Sequence, residues 1–195
     1  MPSPTDIIFK VEQIVKKACR SKANYFKASV WEDHFIPVVT YARKLAHKLK
    51  ADEEIVMLAA LLHDYASVTN KEWVEKHHLV GARLAGEILE KYHYPSDKIE
   101  RVKHAILTHR GSQKLKRKTL EAEILASADA MAHLAHVHSL FHLAYSIKKL
   151  ETEEGREFVL AKVKQSYQKL LPEARKIIQP KHDAIVELLE KKALG

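Results

Sequence analysis

The stretch IVMLAALLHD, residues 55–64, decides the fold of this chain. Its first eight residues are apolar on nearly every side of a helix, which predicts a helix over Asp52 to His63 buried at the centre of the domain. A carboxylate directly after such a segment costs free energy unless it is paired, hydrogen-bonded or bound to a cation. Taken alone, the His63-Asp64 pair also fits a histidine favoured by the dipole at a helix C-terminus.

The rest of the chain has the composition of a helical protein. Only five glycines and six prolines occur among 195 residues, and Ala, Leu, Lys and Glu dominate, so we predict an all-α fold. We expect one domain over residues 1–195, with a core at about 30–145 and a C-terminal helical extension at about 150–194 that serves in packing. The predicted helices cover about 5–19, 31–49, 52–63, 76–92, 96–109 and 120–145, followed by two amphipathic helices within 151–194 that break near Pro172 and Pro180.

Bulk composition excludes several classes of protein. The single cysteine, Cys19, rules out an internal disulfide. No apolar run approaches the roughly twenty residues that span a bilayer, and residues 1–10 do not resemble a secretory signal. We therefore expect a cytoplasmic protein without a membrane partner. The formal net charge of +8 suits an anionic ligand or nucleic acid, and it also suits plain solubility. The first specific clue is the high number of histidines, thirteen.

Four metal-ligating side chains come from three separate predicted helices. His34 lies near the start of the second helix, His63 and Asp64 close the third, and Asp129 lies in a stretch of small residues in the sixth. Two imidazoles and two carboxylates form a mixed nitrogen and oxygen shell that suits Mn, Fe, Co, Ni, Zn or Mg. Such a shell leaves positions open for water and substrate, as a hydrolase requires.

The order His34, His63-Asp64, Asp129 resembles the HD superfamily of metal-dependent phosphohydrolases. Two further segments are similar to that family, HHLVGA at residues 77–82 and AILTH at residues 105–109. The resemblance runs from Glu32 to Leu134 and implies an HD-domain helical bundle with additional C-terminal helices. It implies a divalent metal held by the four residues, with Asp64 also catalytic through orientation of the attacking water.

The resemblance also implies a role for histidines that lie between His63-Asp64 and Asp129 in the sequence. In HD proteins with two metals they bind the second ion, and in those with one metal they face the substrate phosphate. The candidates are His77, His78 and His109. We favour His77 because it shares a helix face with Gly81, which permits close approach, but the choice between His77 and His78 stays open. Weaker candidates are His104, which lies about 140° round the helix from His109, Arg110 as a phosphate contact, and His133, one turn after Asp129.

The resemblance predicts hydrolysis of a phosphate ester, with nucleotides among the candidate substrates. Two alternatives remain, a di-iron HD-type oxygenase and a nucleotide or nucleic-acid binding module with an idle metal site. The expected partner is a small phosphorylated substrate, with nucleic acid less favoured, and the C-terminal helices are expected to form a homodimer. Tyr65-Ala66-Ser67 lacks the substrate-binding residues of some HD branches, so the sequence selects neither substrate nor metal.

Overall fold

The structure, a computed structural model, describes residues 4–110 and 115–190, and the side chains from residue 6 onward in those ranges. The described residues form helices and no strand, which confirms the all-α prediction. None of these helices is long and apolar enough to cross a membrane. The helices are α1 (Pro4–Cys19), α2 (Ile36–Leu49), α3 (Glu53–Leu62), α4 (Tyr65–Thr69), α5 (His77–Lys91), α6 (Ser96–Thr108), α7 (Leu120–Ala135), α8 (Val137–Phe141), α9 (Thr152–Gln168) and α10 (Pro172–Leu189), with π-helical turns at Trp31–Phe35 and His142–Ile147 and a 3-10 helix at Lys71–Lys76.

Helix α3 is the buried centre of the bundle, as predicted. Asp52 caps its N-terminus by accepting a hydrogen bond from the Ile55 amide at 3.3 Å. Every residue from Ile55 to Leu62 is buried, and α3 packs against α1, α2, α6 and α7. Because the helical conformation ends at Asp64, with φ −111° and ψ 13°, the His63-Asp64 pair lies at the edge of the core.

The predicted sixth helix is interrupted. Helix α7 ends at Ala135, and His136 adopts φ −120° and ψ 51° before α8 begins. The chain then passes through the π-helical turn His142–Ile147. The histidines of this segment therefore do not continue one helical face, and His138 contacts Asp33 at 3.2 Å.

The predicted break at Pro172 is present, but the predicted break at Pro180 is wrong. Pro172 begins α10, where its missing amide hydrogen costs nothing. Pro180 lies within α10, and the helix continues past it. Both Pro180 and Lys176, whose carbonyl loses its helical partner, are exposed, so water is able to satisfy that carbonyl.

The C-terminal helices pack on the helix that carries Asp129. Helices α9 and α10 contact each other and both contact α7. Where α9 passes into α10, the Leu171 amide donates to the fully buried Ser127 hydroxyl oxygen at 3.0 Å. This contact fixes α9 beside the middle of α7. The prediction that this region serves only in packing is wrong, because one face of α9 also lines the cavity described next.

Candidate metal centre

The structure brings His34, His63, Asp64 and Asp129 together. The Nε2 atoms of His34 and His63 lie 3.1 Å apart. One oxygen of Asp64, Oδ2, is 3.5 Å from each of these nitrogens, and Oδ1 of Asp129 is 3.6 Å from His34 Nε2. The convergence has three sources: the π-helical turn before α2, the end of α3, and the middle of α7. We call these four residues the first cluster.

A second cluster, formed by Asp64, His77 and His109, shares one residue with the first. The other oxygen of Asp64, Oδ1, is 3.4 Å from His77 Nε2 and 4.0 Å from His109 Nε2. The two imidazole nitrogens lie 3.3 Å apart. Asp64 therefore directs one oxygen to each cluster. The ligand atoms of His34, His63 and Asp64 lie within 4.8 Å of one another, as do those of the second cluster, and this spacing suits a metal ion; Asp129 meets the same spacing with His34 and His133.

Of the vicinal histidines, His77 is the one that faces the clusters. His78 is buried on the neighbouring face of α5 and lies outside the cavity lining, and its Nδ1 atom has no hydrogen-bond partner among the described residues. Gly81 explains how α5 approaches so closely. A Cβ atom at this position would lie 3.3 Å from the His63 carbonyl oxygen and 3.4 Å from Ile106 Cγ2, so the missing side chain lets α5 rest on the end of α3.

The imidazoles are oriented for cation binding by a repeated backbone contact. The Nδ1 atoms of His63, His77 and His109 each donate to the carbonyl oxygen three residues earlier, at 2.8, 2.6 and 2.6 Å. This contact places the ring hydrogen on Nδ1 and leaves the Nε2 lone pair free to face the neighbouring carboxylate. Several unprotonated nitrogens that converge on two carboxylates fit a divalent cation, because without one their lone pairs face each other.

The charges of Asp64, His63 and His109 also fit a cation site, whereas at His34 the effect of burial is outweighed by Asp64 and Asp129, which raise the pKa of this imidazole. Burial disfavours ionised Asp64, but His63 and His77 outweigh it and hold the pKa of this carboxyl well below its usual value. Burial, together with His63 and His77, lowers the pKa of His109 to about 3, and burial likewise lowers the pKa of His63. Ionised carboxylates and neutral imidazoles are the protonation states in which these side chains bind metals.

The structure reveals one residue that the sequence did not point to. The Lys169 ammonium, from the end of α9, lies 2.6 Å from Oδ2 of Asp129. Burial of Asp129 is outweighed first by Lys169 and then by His133, and its pKa lies well below its usual value. Oδ1 of Asp129 is thereby left to face His34. The sequence gives only an indirect signal of this contact. Lys162, Ser166 and Lys169 recur at helical spacing, but a solvent-exposed helix face shows the same spacing.

The three weaker candidates fall at different places. His133 joins the first cluster, with Nε2 at 3.7 Å from Asp129 Oδ1 and its ring stacked on His34. Arg110 lines the cavity but pairs with Glu75 at 2.9 Å. His104 lies outside the cavity lining and accepts a hydrogen bond from the Lys118 amide at 3.0 Å. Residues 111–114, which follow Arg110, lie outside the described residues.

Both clusters open into one cavity of about 520 Å³. Sites for small molecules commonly have volumes of roughly 300–1,000 Å³. Apolar side chains from the segment before α2 and from α9, among them Phe26 and Phe158, form part of the wall. The basic residues that line it are Lys71, Arg110, Lys148, Lys162 and Lys169. The arrangement is suited to an anionic small molecule with an apolar portion.

Comparison with known proteins identifies the family. The model of the HD domain family matches residues 31–134, more than half of the chain, and the clusters described above lie within that match. The chain belongs to the HD domain family.

Individual relatives are more distant. The chain is 30% identical to an uncharacterized protein of Clostridium beijerinckii over 103 residues, covering 52% of this chain and 63% of that protein. It is 32% identical to Ribonuclease Y of Desulforudis audaxviator over 99 residues, covering 51% of this chain and 17% of the relative. The chain thus spans less than two thirds of these relatives. The crystal structure of a predicted HD superfamily hydrolase from an uncultured Thermotogales bacterium has the same fold, with a TM-score of 0.58, 20% identity, and 92% of each chain covered.

Proposed function

We propose that this protein is a metal-dependent phosphohydrolase that acts on a small phosphate ester. The observation that carries the proposal is the position of Asp64, which turns one carboxylate oxygen to His34 and His63 and the other to His77. A carboxylate between two sets of imidazole nitrogens is suited to two divalent cations, or to one cation beside a bound phosphate.

Each residue of the two clusters has a stated role in this proposal. His34, His63, Asp64 and Asp129 would hold the first cation, and Asp64, His77 and His109 would hold a second one. A substrate phosphate in the second position would instead need a proton on Nε2 of His77 or His109, which the Nδ1 contacts of these rings disfavour. A bound divalent cation lowers the pKa of a coordinated water and draws charge from a phosphoryl oxygen. Asp64 orients the attacking water, and Lys169 holds Asp129 by its remote oxygen. His133, one turn after Asp129, completes the wall beside His34.

The cavity supports a choice of substrate class. Its basic lining favours phosphate groups through charge, and its apolar wall suits a base or another apolar portion, so nucleotides are candidate substrates. The name of the relative Ribonuclease Y adds support for hydrolysis of a phosphoester. We favour a small substrate over nucleic acid because the clusters lie within a cavity of about 520 Å³.

The test is a panel of metals and substrates. Release of phosphate or pyrophosphate is measured from nucleotides of each base and length, with Mn, Co, Ni, Mg or Fe added. We expect turnover with at least one cation, and we expect Asp64→Ala to abolish it while the helical circular dichroism is retained. Asp97→Ala, which removes an exposed carboxylate from the first turn of α6, is the matched control and should keep full activity. Unchanged turnover in Asp64→Ala contradicts the assignment.

Two alternative functions predict no phosphate release in this panel and a different positive result. The shared carboxylate and the surrounding histidines are also suited to a di-iron oxygenase. Two irons per chain, with an oxidised-iron absorption band and no phosphate release, would favour that reaction. DNA binding with a steep salt dependence and no turnover of any phosphoester would favour a binding module.

A further inference from the structure

One face of α9 lines the cavity and lies outside the part of the chain that matches the family. Phe158, Lys162, Gln165, Ser166 and Lys169 all contribute to the lining. Their spacings of four, seven, eight and eleven residues place them on one side of a helix. The family match ends at residue 134, so these contacts come from outside the matched domain.

The acids that line the cavity are already paired among the residues that the structure describes. Asp129 pairs with Lys169, and Glu75 pairs with Arg110. Asp33 contacts His138, and the oxygens of Asp64 face the histidines of the two clusters. Within the described ranges, no lining carboxylate makes a salt bridge with Lys71, Lys148 or Lys162.

Lys162 is the basic lining residue most affected by the lack of a carboxylate partner. Its ammonium makes no salt bridge within the described part of the chain and lies 6.0 Å from the centre of the Phe158 ring. Lys148 approaches the same ring at 5.5 Å. Lys148 and Lys71 are exposed, whereas Lys162 is half-buried. Burial and the positive charge of Lys169 lower the pKa of Lys162, the charge of Asp129 opposes them, and the charges of Arg110 and Lys148 lower the pKa further.

An ammonium group in this position is unfavourable in the free protein. It has lost part of its hydration, its neighbours carry the same charge, and the ring of Phe158 compensates only in part. A bound anion would neutralise this positive charge. Within the described part of the chain Lys162 makes no salt bridge with Asp64 or Asp129, so its charge is available to an anion beyond the groups held at the clusters.

We propose that Lys148, Phe158 and Lys162 form an anion subsite that binds a second phosphate of the substrate. The preferred substrates then carry at least two phosphates, as nucleoside diphosphates and triphosphates do. One phosphate lies at the Asp64 clusters, and the next lies against Lys162. This inference rests on the proposed function for its catalytic meaning, but the subsite itself is testable without catalysis.

The binding experiment uses the full chain after treatment with EDTA and titrates it with sodium pyrophosphate in a calorimeter. We expect Lys162→Met to raise the Kd at least tenfold, and Lys162→Arg to keep it within about threefold of the wild type. The control is Lys164→Met, two residues away on α9, where the ammonium is exposed and pairs with Glu190 at 2.6 Å. Its Kd should stay within twofold. A Kd for Lys162→Met that matches the Lys164→Met control overturns the subsite.

A thermal measurement separates an anion-binding role from a structural one. Because Lys162 lies among like charges, Lys162→Met should melt at the same temperature as the wild type or higher in the absence of anions. Pyrophosphate should raise the melting temperature of the wild type and leave that of Lys162→Met unchanged. A lower melting temperature for Lys162→Met, with equally weak binding by Lys162→Arg, would mean that the residue is structural and would overturn the proposal.

Kinetics then connect the subsite to the reaction. With the cation that the panel identifies, Lys162→Met should raise KM at least tenfold for a nucleoside diphosphate and less than threefold for the monophosphate. Equal changes for the two substrates contradict the second-phosphate role. If no phosphoester is turned over, the proposed function fails, while the pyrophosphate titration still decides whether the anion subsite exists.

Discussion

The ammonium nitrogen of Lys169 lies 2.6 Å from Oδ2 of Asp129 and joins the end of α9 to the middle of α7. Both side chains are largely withdrawn from solvent, with relative exposures of 11% and 8%. The pair therefore ties the C-terminal helices to the candidate metal centre through a residue of that centre. Its removal should affect both the stability of the fold and the response of the protein to cations.

Replacement of Lys169 by Met should destabilise the cation-free protein by roughly 3 kcal/mol, because Asp129 is left as a buried charge without its ammonium partner. A divalent cation at the first cluster would compensate that charge, so added Mn²⁺ should stabilise Lys169→Met more than it stabilises the wild type. Urea unfolding with and without the cation measures both effects. Lys164→Met is the control, with an expected change below about 1 kcal/mol, since its ion pair is exposed. Equal stability of Lys169→Met and this control contradicts the interpretation.

Replacement of His77 and of His78 by Ala should have different effects on metal content. His77 faces Asp64 and His109, whereas His78 is buried away from the cavity. If the protein binds two Mn²⁺ ions, His77→Ala should retain one and His78→Ala should retain both. Calorimetric titration and elemental analysis give the stoichiometry. Loss of an ion in His78→Ala alone would reverse the assignment of the pair.

Gly81 and Gly86, both on α5, provide a matched pair of glycine substitutions. A new Cβ at Gly81 meets the rigid carbonyl of His63 at 3.3 Å, whereas at Gly86 it meets the flexible side chain of Lys103 at 3.2 Å. Gly86→Ala should be neutral or stabilising by up to about 1 kcal/mol, because alanine favours a helix. Gly81→Ala should lower the melting temperature relative to Gly86→Ala and weaken Mn²⁺ binding, because α5 carries His77. Equal behaviour of the two variants would show that the close approach is unimportant.

The cation-free protein should lose stability in mild acid. Burial lowers the pKa of both His109 and His133 to about 3, from an ordinary value of 6.5. As the pH falls below 6.5 the unfolded chain takes up these protons and the folded chain does not. Unfolding therefore becomes more favourable down to about pH 3, by up to about 1.4 kcal/mol per pH unit for each group.

Urea unfolding at pH 7, 6 and 5, with EDTA present, measures this loss of stability. His133→Gln should reduce the slope, because glutamine does not titrate, and His93→Gln, which replaces an exposed histidine, should leave it unchanged. A stability that rises between pH 7 and pH 5 would contradict the burial of neutral imidazoles.

The sequence was sufficient to predict the helical fold, the buried α3, and the convergence of His34, His63, Asp64 and Asp129. These features have local signals, a continuous apolar run and a spaced set of ligand residues, and the match to the HD domain family supports them. The extent of the single domain and the homodimer remain predictions.

The sequence was not sufficient to predict the role of α9. Helical spacing shows that Lys162 and Lys169 share a face, but it does not show which helix that face packs against. Only the contact of α9 with α7 places Lys169 at Asp129. The break at Pro180 was wrongly predicted for a related reason, since tolerance of proline depends on whether the carbonyl it leaves unpaired is exposed, and exposure is a property of the fold.

The two carboxylate oxygens of Asp64 face different clusters, and this sharing has a thermodynamic consequence. Because the same carboxylate faces both clusters, a cation bound at one cluster would change the affinity of the other, and by reciprocity the effect would be equal in both directions. A first ion would neutralise much of the negative charge and a second would bind beside a like charge, so we expect stepwise, negatively cooperative binding if two ions bind. The supply of free cation in the surroundings would then set how many ions the protein carries.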